Sequence, residues 1–263
     1  MRIVSLSPAT TETLSILGLE DSIVGVTPWC RMYLKDRDKT IAGTYLNIDT
    51  AALRKLNPDV VFLQAHVHDK FLGVLREAGF NSYLVPLPSN LLDIISNIYL
   101  ISTVVKRYWE GRELADALIE KLYSYIRSRS SIGEGARVYV EFLWPDKTFS
   151  STGALTYIDD GVRVAGGRNI FYDRVAKFFF PNDEEITALD PQIVLVNIEP
   201  PFTGITLNQY LEIRKALRYT SAYRDNRIYL LEESQEVNLA HPGPSFITNT
   251  MKKLIEIIQY SQL

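Results

Sequence analysis

The sequence predicts an α/β protein of two similar lobes, each built on a parallel-rich central sheet. Three observations carry that prediction. Short β-branched runs bounded by turn residues alternate with helical patterns along the 263 residues, which is how parallel strands joined by crossover helices read in a sequence. Leu56-Asn57-Pro58-Asp59-Val60-Val61-Phe62-Leu63 returns 133 residues later as Leu189-Asp190-Pro191-Gln192-Ile193-Val194-Leu195-Val196. Arg2-Ile3-Val4 is echoed by Arg137-Val138-Tyr139 at the nearly equal spacing of 135. Two versions of one unit imply a cleft between the lobes.

In the first half, strands are expected over Ile3–Leu6, Ile23–Val26, Val60–Leu63 and Ser82–Val85, with helices over Thr10–Leu17 and Lys70–Ala78. Ser7 and Pro8 suit the N-cap and first turn of the opening helix, and Gly18 suits its stop. The second half gives strands over Val138–Leu143, Ile193–Val196 and Ile228–Leu231, and helices over Tyr157–Ala165, Leu207–Tyr219 and Pro244–Tyr260. Between them Leu91–Ser130 reads as helical. Leu114, Leu118 and Leu122 form one face of its second part, Tyr108–Arg127, which either joins the lobes or packs on one of them. The expected boundaries are residues 1–90 for the first lobe, 91–132 for the helical region and 133–263 for the second lobe.

With 28 Lys and Arg against 31 Asp and Glu, the net charge is −3, so no basic field attracts nucleic acid or an anionic membrane. Cys30 is the single cysteine, which excludes an internal disulfide and a Cys-x-x-Cys metal site. No run reaches the 18 or so apolar residues of a membrane span. The opening residues read as a strand and a turn rather than a secretory signal, which leaves a cytoplasmic location open.

The opening segment from Arg2 to Glu12 resembles that of the iron-siderophore and cobalamin binding proteins of ABC importers. So do Ile23-Val24-Gly25-Val26-Thr27, the Leu-x-Pro-Asp-Val-Val segment ending at Val61, Phe149-Ser150-Ser151-Thr152-Gly153, Ala165-Gly166-Gly167-Arg168-Asn169-Ile170-Phe171 and Gly243-Pro244. The resemblance spans nearly the whole chain and is strongest to the vitamin B12-binding branch. It implies two α/β lobes joined by one long helix, a metal chelate captured between them, docking on an ABC permease, an extracytoplasmic location, no intrinsic cofactor and no catalysis. Many siderophore binders of the family carry Arg after the Gly-Pro pair, where this chain has Ser245. That favours a neutral corrinoid, cobalamin, as the cargo.

In parallel sheets ligands sit beyond the carboxyl ends of the strands. This rule selects the loops Pro28–Tyr33, Thr44–Leu46, Gln64–Asp69, Pro86–Ser89, Trp144–Ser151, Asn197–Thr203 and Glu232–His241. All three histidines, His66, His68 and His241, fall in them. Imidazole ligates iron, cobalt or zinc, so the three are candidate metal ligands or hydrogen-bonding partners of a chelate; the plainer alternative is that they meet solvent. Trp29, Tyr33, Tyr45 and Trp144 offer flat aromatic faces for a planar ligand, although Trp144 beside Pro145 could instead seal a lobe edge. Cys30 is either a ligand or a small buried residue. The resemblance also implies docking carboxylates, matched by Glu184 in the second lobe, while Ala51 or its neighbour Thr50 stands at the first-lobe position. Two other readings stay open: a cytoplasmic carrier or sensor of corrinoid or haem, and a tetrapyrrole metal chelatase.

Overall fold

The fold comes from a computed structural model that describes residues 1–128 and 135–260. The chain divides into two units. The first comprises Met1–Pro88, Leu92–Glu120 and His241–Pro244; the second comprises Ser89–Leu91, Lys121–Ala240 and Ser245–Leu263. The expected boundary at residues 132 and 133 lies outside the described residues.

Unit 1 is built on strands β1 (Ile3–Ser5), β2 (Ile23–Val26), β3 (Thr40–Ile41), β4 (Val60–Gln64) and β5 (Ser82–Val85), in the sheet order β3-β2-β1-β4-β5. All of its pairings are parallel. Helices α1 (Pro8–Ile16), α2 (Thr50–Leu56), α3 (Asp69–Glu77) and α4 (Leu91–Val104) connect or follow the strands. Both faces of the sheet are buried. Ile3, Val60 and Phe62 pack on one side, and Val4, Val61 and Leu63 on the other, which is why the strands read as continuous apolar runs. Ser7 caps α1 by accepting from the Thr10 amide, with Pro8 in the first turn. Helix α5 (Tyr108–Ser128) runs from residues of unit 1 into residues of unit 2. Gly111 on α5 lets Ser102 approach so closely that a Cβ there would stand 2.2 Å from its hydroxyl oxygen.

Unit 2 carries β6 (Arg137–Leu143), β7 (Phe149–Thr152), β8 (Arg168–Asn169), β9 (Phe178–Phe179), β10 (Ile193–Ile198) and β11 (Ile228–Glu232). The order β11-β10-β6-β7-β9 is parallel from β11 to β6 and antiparallel beyond it, with β8 pairing beside β6. Its helices are α6 (Tyr157–Val164), α7 (Asp183–Leu189), α8 (Leu207–Ile213), α9 (Ser221–Arg224) and α10 (Met251–Tyr260).

The repeat seen in the sequence has a structural counterpart. Helices α2 and α7 both end on a left-handed residue, Asn57 at φ 43° and Asp190 at φ 40°, each followed by proline. In unit 1 the Arg2 guanidinium donates to the Leu56 carbonyl; in unit 2 Arg137 donates to the carbonyls of Leu189 and Asp190. Ile3 pairs with Val60 as Val138 pairs with Ile193. The same clamp therefore seats the central strand of each unit.

One helical expectation needs correction. The single helix expected over Leu207–Tyr219 breaks at Arg214 (φ −110°, ψ 57°) and resumes as a 3-10 turn, Lys215–Tyr219. The cause is a charged knot in the core. Arg214 is 2% exposed and donates to fully buried Glu141, which also accepts from Tyr139 and Tyr210; Arg214 reaches Asp183 as well and lies over the Phe149 ring. The last helix does run over residues 244–260 as expected, with a π-helical turn, Phe246–Thr250, inside it before α10.

Candidate functional site

At the carboxyl ends of the unit 1 strands, three segments converge. The 3-10 turn Pro28–Tyr33, opened by Pro28, follows β2 and presents half-buried Trp29 and buried Tyr33. A tight turn after β3, closed by a bridge between Gly43 and Ile48, places Tyr45 near its tip. The third segment, His241–Pro244, arrives from the far end of the sequence. Tyr45 stacks at a tilt on Trp29, with ring centroids 4.5 Å apart and planes at 39°.

His241 is the hub. Its Nδ1 lies 3.1 Å from the Tyr33 hydroxyl and its Nε2 3.1 Å from the Tyr45 hydroxyl. A neutral imidazole has one N–H and one lone pair, so one phenol donates to the ring and the other accepts from it, whichever tautomer is present. The ring is 1% exposed, and burial pushes its pKa down to about 3. It is neutral at physiological pH.

The other candidates separate from this hub. His68 is fully buried and faces backbone: its Nδ1 accepts from the Gln64 amide and its Nε2 lies 3.0 Å from the Thr44 carbonyl. Burial lowers its pKa. His66 is exposed at φ 75° with its amide donating to Asp69. Among the described residues no group of three or more His, Cys, Asp or Glu is placed to hold a metal ion, so the three-histidine metal set is not assembled. The reason is local, because backbone claims both nitrogens of one ring and phenols claim both nitrogens of another. Cys30 is buried, its sulfur 3.1 Å from the Thr27 hydroxyl and 3.6 Å from the Ser5 carbonyl. Burial raises its pKa, which makes it a small core residue.

In unit 2, Trp144 is 36% exposed, and its indole N–H donates to the Ser150 hydroxyl. Glu184 is exposed in the first turn of α7. The sequence reading missed a pair of carboxylates at the carboxyl ends of neighbouring strands. Glu199 follows β10 and Glu233 follows β11, and the Asn197 side-chain amide donates to both at 3.4 Å. Burial raises both carboxyls, and Glu199 beside it helps push Glu233 up to about 8. The signal was present as a lone acidic residue just past each apolar run.

Residues 3–234 match the family described as periplasmic binding protein. The chain belongs to that family. Among relatives of this periplasmic binding protein is an uncharacterized ABC transporter substrate-binding lipoprotein of Bacillus subtilis, 23% identical over 271 residues that span 98% of this chain and 77% of that protein. A periplasmic haem-binding protein from Roseiflexus sp. RS-1, in its apo form, superposes with a TM-score of 0.86 at 23% identity, covering 99% of both chains. The periplasmic vitamin B12-binding protein of Vibrio cholerae superposes at 0.79 with 19% identity, covering 99% of this chain and 97% of that one. At these identities the two structures establish the fold. No helix among the described residues is long and apolar enough to cross a membrane.

Proposed function

We propose that this periplasmic binding protein captures a metal tetrapyrrole, ferric haem ahead of cobalamin, and delivers it to an ABC-type permease. The observation that carries the reading is the Tyr45 phenol, held by His241 and flanked by Trp29. A phenol oxygen is a hard donor suited to trivalent iron, and tyrosine is an established axial ligand of haem iron. His241 spends its nitrogens on two phenols, so the axial bond falls to Tyr45, and the Trp29 face supplies flat apolar surface for the macrocycle. Both structures described above carry ligands of this class in their names, which supports the choice.

Cobalamin is the second reading, favoured by Ser245 in place of the arginine of anionic-chelate binders. Exposed Glu184 is the permease-docking carboxylate in this proposal, with Ala51 leaving the first-lobe counterpart uncharged. Extracytoplasmic work follows from the family.

The test is titration of the purified protein with ferric protoporphyrin IX, metal-free protoporphyrin IX and cyanocobalamin, followed in the visible spectrum. Saturable binding of the ferric form with a shifted spectrum, weakened about tenfold or more by Tyr45→Phe, supports the haem reading. Binding of cyanocobalamin alone transfers it to the corrinoid. Silence toward all three sinks both.

A further inference from the structure

We infer that His68 is a positioning residue, whose imidazole fastens the turn carrying Tyr45 to the end of β4 and so holds the phenol where a ligand meets it. The binding consequence rests on the tetrapyrrole reading; the structural consequence does not.

The two backbone partners of His68 fix its tautomer. The Gln64 amide can only donate, and it lies 3.1 Å from Nδ1; Nδ1 must therefore be bare. The Thr44 carbonyl can only accept, and it lies 3.0 Å from Nε2; Nε2 must therefore carry the proton. A neutral ring protonated at Nε2 satisfies both, and either alternative sets two donors or two acceptors face to face in a fully buried place. His68 is doubly anchored to β4, since its own amide also donates to the Gln64 carbonyl.

On the other side of the ring, Thr44 closes the turn. Its amide donates to the Asn47 carbonyl at 2.7 Å, and its hydroxyl accepts from the amides of Leu46 and Asn47. Tyr45 and Leu46 therefore ride on a small self-bonded loop. Through His68 this loop is tied to β4, a strand flanked on both sides in the sheet. Tyr45 thus starts from a fixed base before it reaches His241 and Trp29. Preorganisation of this kind raises affinity by removing an ordering cost at the moment of binding.

Two conservative replacements separate the two anchors. In His68→Gln the side-chain amide nitrogen takes the place of Nε2 and keeps the bond to Thr44, losing the one from Gln64. In His68→Asn the side-chain oxygen takes the place of Nδ1 and keeps the bond from Gln64, releasing Thr44. Hydrogen exchange is followed over residues 43–48 of the ligand-free protein, and affinity is measured with ferric protoporphyrin IX. We expect His68→Gln to leave exchange at Leu46 and Asn47 unchanged and affinity within about threefold of the parent. His68→Asn should speed that exchange about tenfold and weaken binding about tenfold. A purely structural role would lower the thermal midpoint of both variants alike without separating them, and that result overturns the inference. If the parent chain binds no tetrapyrrole, the functional reading fails while the exchange contrast still decides the role of His68. Should either variant fail to fold, nitrogen-15 spectra of the histidine rings in the parent protein decide. A ring protonated at Nε2 is expected, and one protonated at Nδ1 overturns the proposal.

Discussion

The Tyr45 hydroxyl stands 3.1 Å from Nε2 of His241, a contact between residues 196 positions apart in the chain. The same imidazole meets Tyr33 through its other nitrogen, and Tyr33 shares a 3-10 turn with Trp29, which stacks on Tyr45. Three side-chain contacts and the shared turn close a ring within unit 1. Such a ring holds an aromatic wall and a phenol donor in fixed relation, the kind of surface that a rigid planar chelate recognises at little conformational cost.

Tyr33→Phe tests the inner half of that ring. Removing the hydroxyl takes a partner from a ring nitrogen buried at 1% exposure, which costs about 1–3 kcal/mol of stability. The urea midpoint should fall by the corresponding amount, and haem affinity should drop less than in Tyr45→Phe.

His241 sets an acid limit. In the unfolded chain its pKa is 6.5 and burial brings the folded value to about 3, so between those pH values the unfolded state binds the proton and the folded state does not. The contribution to stability is therefore complete above pH 6.5 and is lost as pH falls toward 3. Denaturation curves between pH 7 and 4 should show a steep decline that flattens in His241→Phe.

The Glu199–Glu233 pair acts in the opposite direction. Glu233 rises from 4.5 to about 8 in the folded protein, so the folded state keeps a proton that the unfolded chain releases. Stability from this source is complete below pH 4.5 and is lost as pH rises through 8. Because the carboxyls interact, they titrate as a unit. Glu233→Gln should abolish the alkaline decline, read as the difference in urea midpoint between parent and variant at pH 5 and pH 8.

Glu141 and Arg214 form a buried pair, at 0% and 2% exposure. Removing one partner strands the other's charge in the core, a loss of about 3–5 kcal/mol. Glu141→Ala should therefore destabilise unit 2 far more than Glu212→Ala, whose carboxylate pairs with Lys215 and Arg218 on the surface and contributes about 0–1 kcal/mol. Thermal denaturation of the two variants makes the comparison.

The strands β1, β2, β4, β6 and β10 were legible because they bury nearly every residue and so read as apolar runs, whereas β5 and β11 are only partly buried and were legible from their apolar composition. Strands β3, β8 and β9 have two residues each, too short for any periodicity, and β7 is Phe-Ser-Ser-Thr, polar enough to pass for a loop. The break at Arg214 was invisible because its cause, Glu141, lies 73 residues away. For the site, the rule of strand ends selected the loops that hold Trp29, Tyr33, Tyr45 and His241. It could not assign roles among the histidines. What separates His241 from His68 is whether phenols or backbone amides and carbonyls meet the ring, and apart from the nearby Gln64 amide those partners come from other segments of the chain.

Because His241 belongs by its contacts to unit 1 yet follows nearly the whole of unit 2 in the sequence, the ring of contacts around Tyr45 is finished late in biosynthesis. At about 5–20 residues per second, a ribosome takes roughly 10–40 s to travel the 196 positions from Tyr45 to His241. A nascent or truncated chain that stops short of residue 241 lacks the hub, and so has no imidazole joining Tyr33 to Tyr45. The imidazole that links the two phenols is thus the last part of this arrangement to be synthesised.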